Sequence, residues 1–371
     1  MITLSTIITQ FESELLQRYG ERLLPGQRRA LSAMKQCRTA LSPKMLTQCS
    51  QCEHQRLVPH SCGHRLCPHC QHHESQQWIE RQLAKQVPGV YFMLTFTLPS
   101  ELRSLAYAHQ RLVYAALMRC AWETVRVFSH NDKQLQGTPG ATAVLHTHSR
   151  RLDFHPHVHL VMPAAALDTK NGLWRSKRSR QNAKAGYLFS HKALAKVFRA
   201  KMLDAINKAG LTLPKHHPTR WVVDCKHVGR GNKALVYLGR YLYRGVISEK
   251  DILACKDGQV TFRYRDSATK RFKTRTLNGA DFLWLVLKHV LPKGLRRARD
   301  FGFLHPNSKR LMQRLRYLLK LAPTWATNAP RPRPTMACAC CGGAMKIVRT
   351  RMKTTLPSPR PPDLAWETSV M

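Results

Sequence analysis

Apolar residues recur at helix-like intervals early in the chain, at Ile7, Ile8, Phe11, Leu15, Leu16 and Leu23, and predict helices over roughly 1–36. A cysteine-rich segment interrupts this pattern, and a helix over about 74–86 follows, closed by Pro88-Gly89. The run Tyr91-Phe92-Met93-Leu94-Thr95-Phe96-Thr97-Leu98 is rich in aromatic and β-favouring residues and stops at Pro99, so it reads as a strand. Ser100 is the expected cap of a helix whose periodic positions are Leu105, Leu112, Ala116 and Met118. A Gly/Pro loop at 136–140 then leads into a second strand over 141–148. After a turn, the apolar run Val158-His159-Leu160-Val161-Met162 marks a third strand.

Residues 166–186 are polar and basic and read as a mobile loop. A helix over about 191–210, a strand at Trp221-Val222-Val223 and a helix over about 233–244 ending at Gly245 come next. Residues 260–265 and 272–277 look like a hairpin around Asp266-Ser267, and helices follow to about Leu321. Beyond Pro323 the tail is rich in Pro and Arg and expected to be disordered apart from one cysteine cluster. The pattern predicts an α+β fold, a central antiparallel sheet flanked by helices. Four parts are expected: helical and metal-binding over 1–88, a core over 89–250, an accessory β-hairpin and helical region over 251–322, and the tail over 323–371.

Composition adds a partner. Lys and Arg number 61 against 21 Asp and Glu, a net charge of +40 spread along all 371 residues. Such a surplus repels itself unless a polyanion neutralises it, and nucleic acid is the usual one. No apolar run approaches the length of a membrane span. The start Met1-Ile2-Thr3-Leu4-Ser5 lacks the pattern of a secretory signal, which sets the expectation of a cytoplasmic protein. Twelve cysteines with CxxC spacings in such a chain point to metal rather than disulfides.

The clearest metal signature is Cys49-x2-Cys52 followed by Cys67-x2-Cys70, two knuckles that would complete a closed, structural zinc site. Cys62, His64 and His69 lie between or beside them as possible substitutes. Cys338 and Cys341 form a later, single CxxC pair that is either half a knuckle or a pair of surface thiols.

A second site is built on histidine. Alternate side chains of a strand share a face, so His157 and His159 point together while Val158 packs behind them. If the preceding strand pairs with theirs through a turn centred on Leu152-Asp153, His146 falls opposite His159 and His148 opposite His157. His155 has the same parity but precedes Pro156. Three imidazoles suffice to hold a divalent cation with positions left for water and a phosphate oxygen. Tyr237 and Tyr241, four residues apart, share a helix face as nucleophile candidates, whereas Tyr243 is turned away. Arg240 and Arg244 are candidate DNA-backbone contacts.

With these residues assembled, the chain resembles the HUH endonucleases, and among them the rolling-circle transposases of the IS91 type. The resemblance runs through Ser61-Cys62, Cys67-Pro68-x-Cys70-Gln71, Thr97-Leu98-Pro99, Leu145-His146-Thr147 and His155-Pro156-His157-Val158-His159. It continues through Phe198-Arg199, Tyr237-Leu238-Gly239-Arg240-Tyr241, Val260-Thr261-Phe262-Arg263-Tyr264-Arg265, His289-Val290-Leu291-Pro292-x-Gly294 and Phe301-Gly302-Phe303-Leu304, about 49–304 in all. It departs at His148, where the pattern favours an aromatic residue, and so implies His146 as third ligand. The resemblance implies that His157, His159 and His146 hold Mg²⁺ or Mn²⁺, and that Tyr237 or Tyr241 attacks single-stranded DNA at the element ends. The product would be a 5′-phosphotyrosine and a free 3′-OH. It also implies a structural zinc module that assists DNA recognition, target DNA as a further partner and a bacterial, nucleoid-associated setting. The alternatives are a plasmid-type rolling-circle replication initiator and a non-catalytic zinc-ribbon DNA-binding protein.

Overall fold

The two strands that carry the histidines are buried almost end to end, because helices cover both faces of the sheet they belong to. The computed structural model describes residues 2–177, 188–243, 245–266, 268–321 and 335–352. In chain order its elements begin with α1 (Leu4–Tyr19), α2 (Pro25–Gln36), β1 (Lys44–Cys49), β2 (Gln55–Pro59), α3 (His72–Ala84), β3 (Tyr91–Thr97), α4 (Arg103–Ala108) and α5 (Gln110–Asn131). The middle of the chain forms β4 (Thr138–His148), β5 (Phe154–Pro163), β6 (Ala165–Asp168), β7 (Leu173–Ser176), α6 (His191–Lys208), β8 (Val223–His227) and α7 (Asn232–Tyr243). Then come β9 (Ile252–Lys256), β10 (Gln259–Arg265), β11 (Phe272–Asn278), α8 (Gly279–Leu287), β12 (Ala298–Gly302), α9 (Lys309–Leu318) and β13 (Met345–Met352).

The chain divides into two units, Met1–Lys35 with Gly63–Pro332, and Gln36–Cys62 with Arg333–Met371. In the larger, seven strands pair in the order β7-β6-β4-β5-β3-β8, with β12 also on β4, every pairing antiparallel. On one face α5 and α6 bring Tyr114, Leu117, Phe198 and Met202 onto Leu94, Phe96, Val158 and Leu160. On the other, α3 and α7 bring Trp78, Ile79, Leu235 and Leu238 onto Val144 and Val161. His146, His157 and His159 have the parity of this second face, so the helix bearing the tyrosines lies over them. A second sheet of the same unit, β11-β10-β9, carries the expected hairpin. Among the described residues no helix is long and apolar enough to cross a membrane.

The division differs from the four expected parts. Residues 1–35 belong with the larger unit, where Phe11 of α1 packs into a gap on α8 that only Gly279 leaves open; a Cβ there would lie 2.3 Å from the ring. Tyr19 stacks on Trp284 at 4.9 Å in the same packing. Ser100 makes no capping bond; its hydroxyl donates to Glu101 instead. The loop expected over 166–186 contains the β6–β7 hairpin, and its residues 178–187 lie outside the described residues. The helices expected up to Leu321 are interrupted by β12, which begins inside the basic run Arg296-Arg297-Ala298-Arg299; its Asp300 is held by Lys85 at 2.6 Å and by Thr142 at 2.8 Å. Of the tail, expected to be disordered apart from its cysteine cluster, 335–352 form a bridge and β13, while 322–334 and 353–371 lie outside the described residues.

The smaller unit is a three-stranded antiparallel sheet, β13-β1-β2, with Cys49 of β1 opposite Met345 of β13. Its buried apolar cluster consists of Cys49, Cys338 and Met345.

Candidate active site and metal centre

The β4–β5 register brings His146 directly across from His157, and Val144 across from His159. This is two residues from the expected register. An even shift keeps the same face, so the cluster survives, but His148 does not meet His157; it lies opposite Phe154 beyond a bulge. The cause is the turn. The Ser149 amide donates to the Asp153 carbonyl at 2.9 Å, the Ser149 hydroxyl accepts from the Arg151 and Asp153 amides at 3.2 Å, and Leu152 takes a left-handed φ of 68°. His148 instead stacks near Tyr241 and His289, with ring centroids 4.9 and 5.2 Å away.

One ligand atom from each of His146, His157 and His159 lies within 4.8 Å of the others. Hydrogen bonds fix which nitrogens are available. The His155 carbonyl, 2.7 Å from Nδ1 of His157, can only accept, so that nitrogen carries the proton and Nε2 keeps its lone pair. Nδ1 of His159 pairs with the Thr95 hydroxyl at 3.0 Å. Nε2 of His146 is buried without a hydrogen-bond partner, as a ligand atom facing a cation would be. Burial lowers His157 to about 4 and His159 to about 3, and pushes His146 well below the ordinary value; neighbouring rings add to the effect, and Arg297 adds to it at His146 and His157. All three rings are therefore neutral at physiological pH, the state in which imidazole binds metal. This donor set fits a divalent cation.

Tyr237 and Tyr241 lie on the face of α7 that looks onto these rings. Tyr241 is half-buried and stacks flat on His146, centroids 3.3 Å apart, and its oxygen accepts from the Thr147 amide at 3.2 Å. Tyr237 is 47% exposed, 6.1 Å from the His146 ring and 6.2 Å from that of His159. Burial raises the pKa of both phenols. Both open onto a cavity of about 690 Å³ lined also by Arg150, Arg240, Arg263 and Phe272. Tyr243 faces a different cavity, of about 650 Å³, as its helical offset required. Arg240 borders both cavities, and Arg244 lies outside the described residues.

Two positioning residues escaped the sequence reading. Arg297 sits in the basic run Arg296-Arg297-Ala298-Arg299, yet it is buried, donates to the carbonyls of Leu145 at 3.0 Å and Leu242 at 3.3 Å, and lies over the Tyr241 ring at 4.5 Å. No sequence signal separates it from its neighbours Arg296 and Arg299. Gly239 lets α7 approach α3; a Cβ there would meet Ile79 Cγ1 at 2.3 Å. A glycine inside a periodic helix between two tyrosines was the signal available.

The cysteines group differently from the expected knuckles. Cys49 and Cys52 meet Cys338 and Cys341, all four sulfurs within 4.8 Å of one another. Cys67 and Cys70 belong to the larger unit, in a turn where the Cys70 amide donates to the Cys67 carbonyl at 3.3 Å. Spacing along the chain hid this grouping, because β13 reaches β1 only through long-range pairing. Cys62 is half-buried, the His64 imidazole is lowered chiefly by burial, and His69 pairs with Glu249 at 2.9 Å.

Comparison with known proteins places the sequence among transposases. A family model described as "Putative transposase" matches residues 140–311, and one described as "Transposase zinc-binding domain" matches residues 7–98. A protein of Sinorhizobium fredii named "Putative transposase y4qJ" is 32% identical over 322 residues, covering 79% of each chain. The transposase for insertion sequence element IS801 of Pseudomonas savastanoi pv. phaseolicola is 29% identical over 268 residues, 68% of this chain and 63% of that protein, so the match spans under two thirds of its length. Among solved structures, the metal-bound conjugative relaxase TrwC in complex with oriT DNA is 20% identical with a TM-score of 0.27, covering 36% of this chain and 49% of that one. The metal-free TrwC complex is 15% identical with a TM-score of 0.27, over 62% and 74% of the two chains.

Proposed function

The chain belongs to the transposase family of the IS91 type, and from that premise we propose that it cleaves and rejoins single-stranded DNA at element ends by tyrosine transesterification. The observation that carries the reading is the stacking of a two-tyrosine helix face over three neutral, converging imidazoles. His146, His157 and His159 would hold the divalent cation. Such a cation, when bound, polarises a phosphate oxygen and favours attack at phosphorus. The cation class named from sequence was Mg²⁺ or Mn²⁺; an all-imidazole donor set favours Mn²⁺ and later transition ions over Mg²⁺, which prefers oxygen.

Tyr237 is the first nucleophile in this reading, because it is the more exposed phenol and borders the cavity. Its oxygen loses a proton and forms a bond to phosphorus as the bond to the 3′-oxygen breaks, and that oxygen leaves with a proton as a 3′-OH. One phosphodiester is exchanged for one phosphotyrosine ester, so rejoining needs no external energy source. Tyr241, stacked on His146 and anchored by Thr147 and Arg297, serves the second cleavage. Arg150, Lys233, Arg240, Arg263 and Arg265 line the cavity and suit a phosphate backbone, and Phe272, 67% exposed, offers a face on which a base can stack.

The test uses labelled single-stranded oligonucleotides spanning an element end. Tyr237→Phe should abolish the first covalent protein–DNA adduct, while Tyr241→Phe should keep it and lose strand joining. An undiminished adduct in the double variant would overturn the assignment of the tyrosines.

A further inference from the structure

We propose that the smaller unit is a zinc ribbon closed by the C-terminal segment, in which Cys49 and Cys52 share one zinc ion with Cys338 and Cys341. The matched zinc-binding region ends at residue 98, so half of this ligand set lies outside it. The sulfurs are spaced for an ion. Cys49 to Cys341 is 3.5 Å, Cys52 to Cys338 is 3.6 Å and Cys52 to Cys341 is 3.4 Å. A zinc–sulfur tetrahedron with bonds of about 2.3 Å has edges of about 3.8 Å.

Both knuckles also carry the amide contacts that a thiolate site uses. The Gln51 amide points at Cys49 Sγ, and the Cys340 amide at Cys338 Sγ, each at 3.4 Å. The C-terminal turn is shaped for this approach: Cys338 and Gly343 bond through the backbone at 2.8 Å, and Gly342 takes a φ of +72°. At Gly343 a Cβ would lie 2.6 Å from the Gln51 side-chain oxygen and 3.2 Å from Cys49 Sγ, so the two knuckles approach closely at this glycine. Pairing of Cys49 with Met345 and the Ser50 amide's 3.0 Å bond to the Ala344 carbonyl set the register that brings the knuckles together.

The second line of argument is the unit's core. Its buried apolar cluster is Cys49, Cys338 and Met345, so two of its three members are ligands themselves. A sheet with so little apolar burial does not hold by itself, and an ion with four thiolate ligands is the usual substitute. The ligands come from segments 286 residues apart between Cys52 and Cys338, so the ion also ties the C-terminal strand into the fold.

Wild-type, zinc-loaded full-length protein tests this by alkylation and mass spectrometry, with exposed Cys340, which is outside the quartet, as internal standard. Cys340 should react at once. Cys49, Cys52, Cys338 and Cys341 should be protected and become reactive together, at least about tenfold faster, when a chelator removes zinc. Reaction of Cys338 and Cys341 at the rate of Cys340 in the loaded protein would overturn the proposal. Metal analysis gives a second measurement: Cys338→Ser/Cys341→Ser and Cys49→Ser/Cys52→Ser should each lose the same single equivalent of zinc, and all four changes together should lose no more. Full zinc content in the Cys338→Ser/Cys341→Ser variant would equally overturn it.

Discussion

The histidine cluster and the cysteine quartet both gather donor atoms around a space that one cation would fill, and they reach that state by opposite routes. His146, His157 and His159 sit on adjacent strands joined by a short turn, in a sheet packed on both faces. Their rings are held by Thr95, by the His155 carbonyl and by Tyr241 before any ligand arrives. The quartet joins distant segments around a three-residue core. One site is positioned by folding, and the other, as proposed, positions the fold. Catalysis needs the first kind, because reacting atoms must be placed within fractions of an ångström.

Chelation should separate the two most sharply. Structural zinc contributes on the order of 10 kcal/mol to small thiolate modules. Hydrogen exchange on chelator-treated protein should therefore show lost amide protection in Lys44–Cys49, Gln55–Pro59 and Met345–Met352, with Thr138–His148 and Phe154–Pro163 still protected. Equal loss in both sets would erase the contrast.

Acid should act on the other site. Burial holds His157 at about 4 and His159 at about 3, against 6.5 for an unburied ring, so the unfolded chain takes up protons first as pH falls. The stability present above pH 6.5 is then lost as the pH drops toward 4. Calorimetry of metal-free protein should show the larger unit's melting temperature falling through that window, and His159→Gln should flatten the slope. An unchanged slope in that variant would place the acid sensitivity elsewhere.

Much of the larger unit was legible in the sequence, because its elements announce themselves locally. The aromatic run of β3, the alternating histidines of β5 and the four-residue spacing of Tyr237 and Tyr241 all carry their period in plain view. Register was legible only to parity, since the bulge and the left-handed Leu152 that set it leave no periodic trace. β12 was hidden by the basic run in which it begins, Arg297 by its basic neighbours, and the partners of Cys49 and Cys52 by distance along the chain. Local pattern reveals faces; tertiary contact decides what they meet.

Gly239→Ala tests how rigidly the histidine site is held. The new methyl would press on Ile79 and Trp78, a packing conflict worth about 1–3 kcal/mol. Because α7 must shift to relieve it, Tyr237 moves relative to the rings, and a displacement of about 1 Å can cost 100-fold in rate. Melting temperature should fall and single-strand cleavage should drop by about 10- to 100-fold with zinc content unchanged. Wild-type cleavage in a destabilised protein would mean that the placement of α7 is not what limits the reaction.

Arg297→Lys is a subtler probe, aimed at one residue of that rigid scaffold. A lysine keeps the charge but lacks the planar fork that joins the Leu145 carbonyl to that of Leu242. One of those carbonyls then loses its partner, at a cost of about 1 kcal/mol. Tyr241 also loses the guanidinium lying over its ring, whereas the described contacts of Tyr237 do not include Arg297. Strand joining should therefore fall by about tenfold, while formation of the first covalent adduct stays within a fewfold of wild type. If both steps fall together, Arg297 supports the whole site rather than the second tyrosine, and the division of labour along α7 fails.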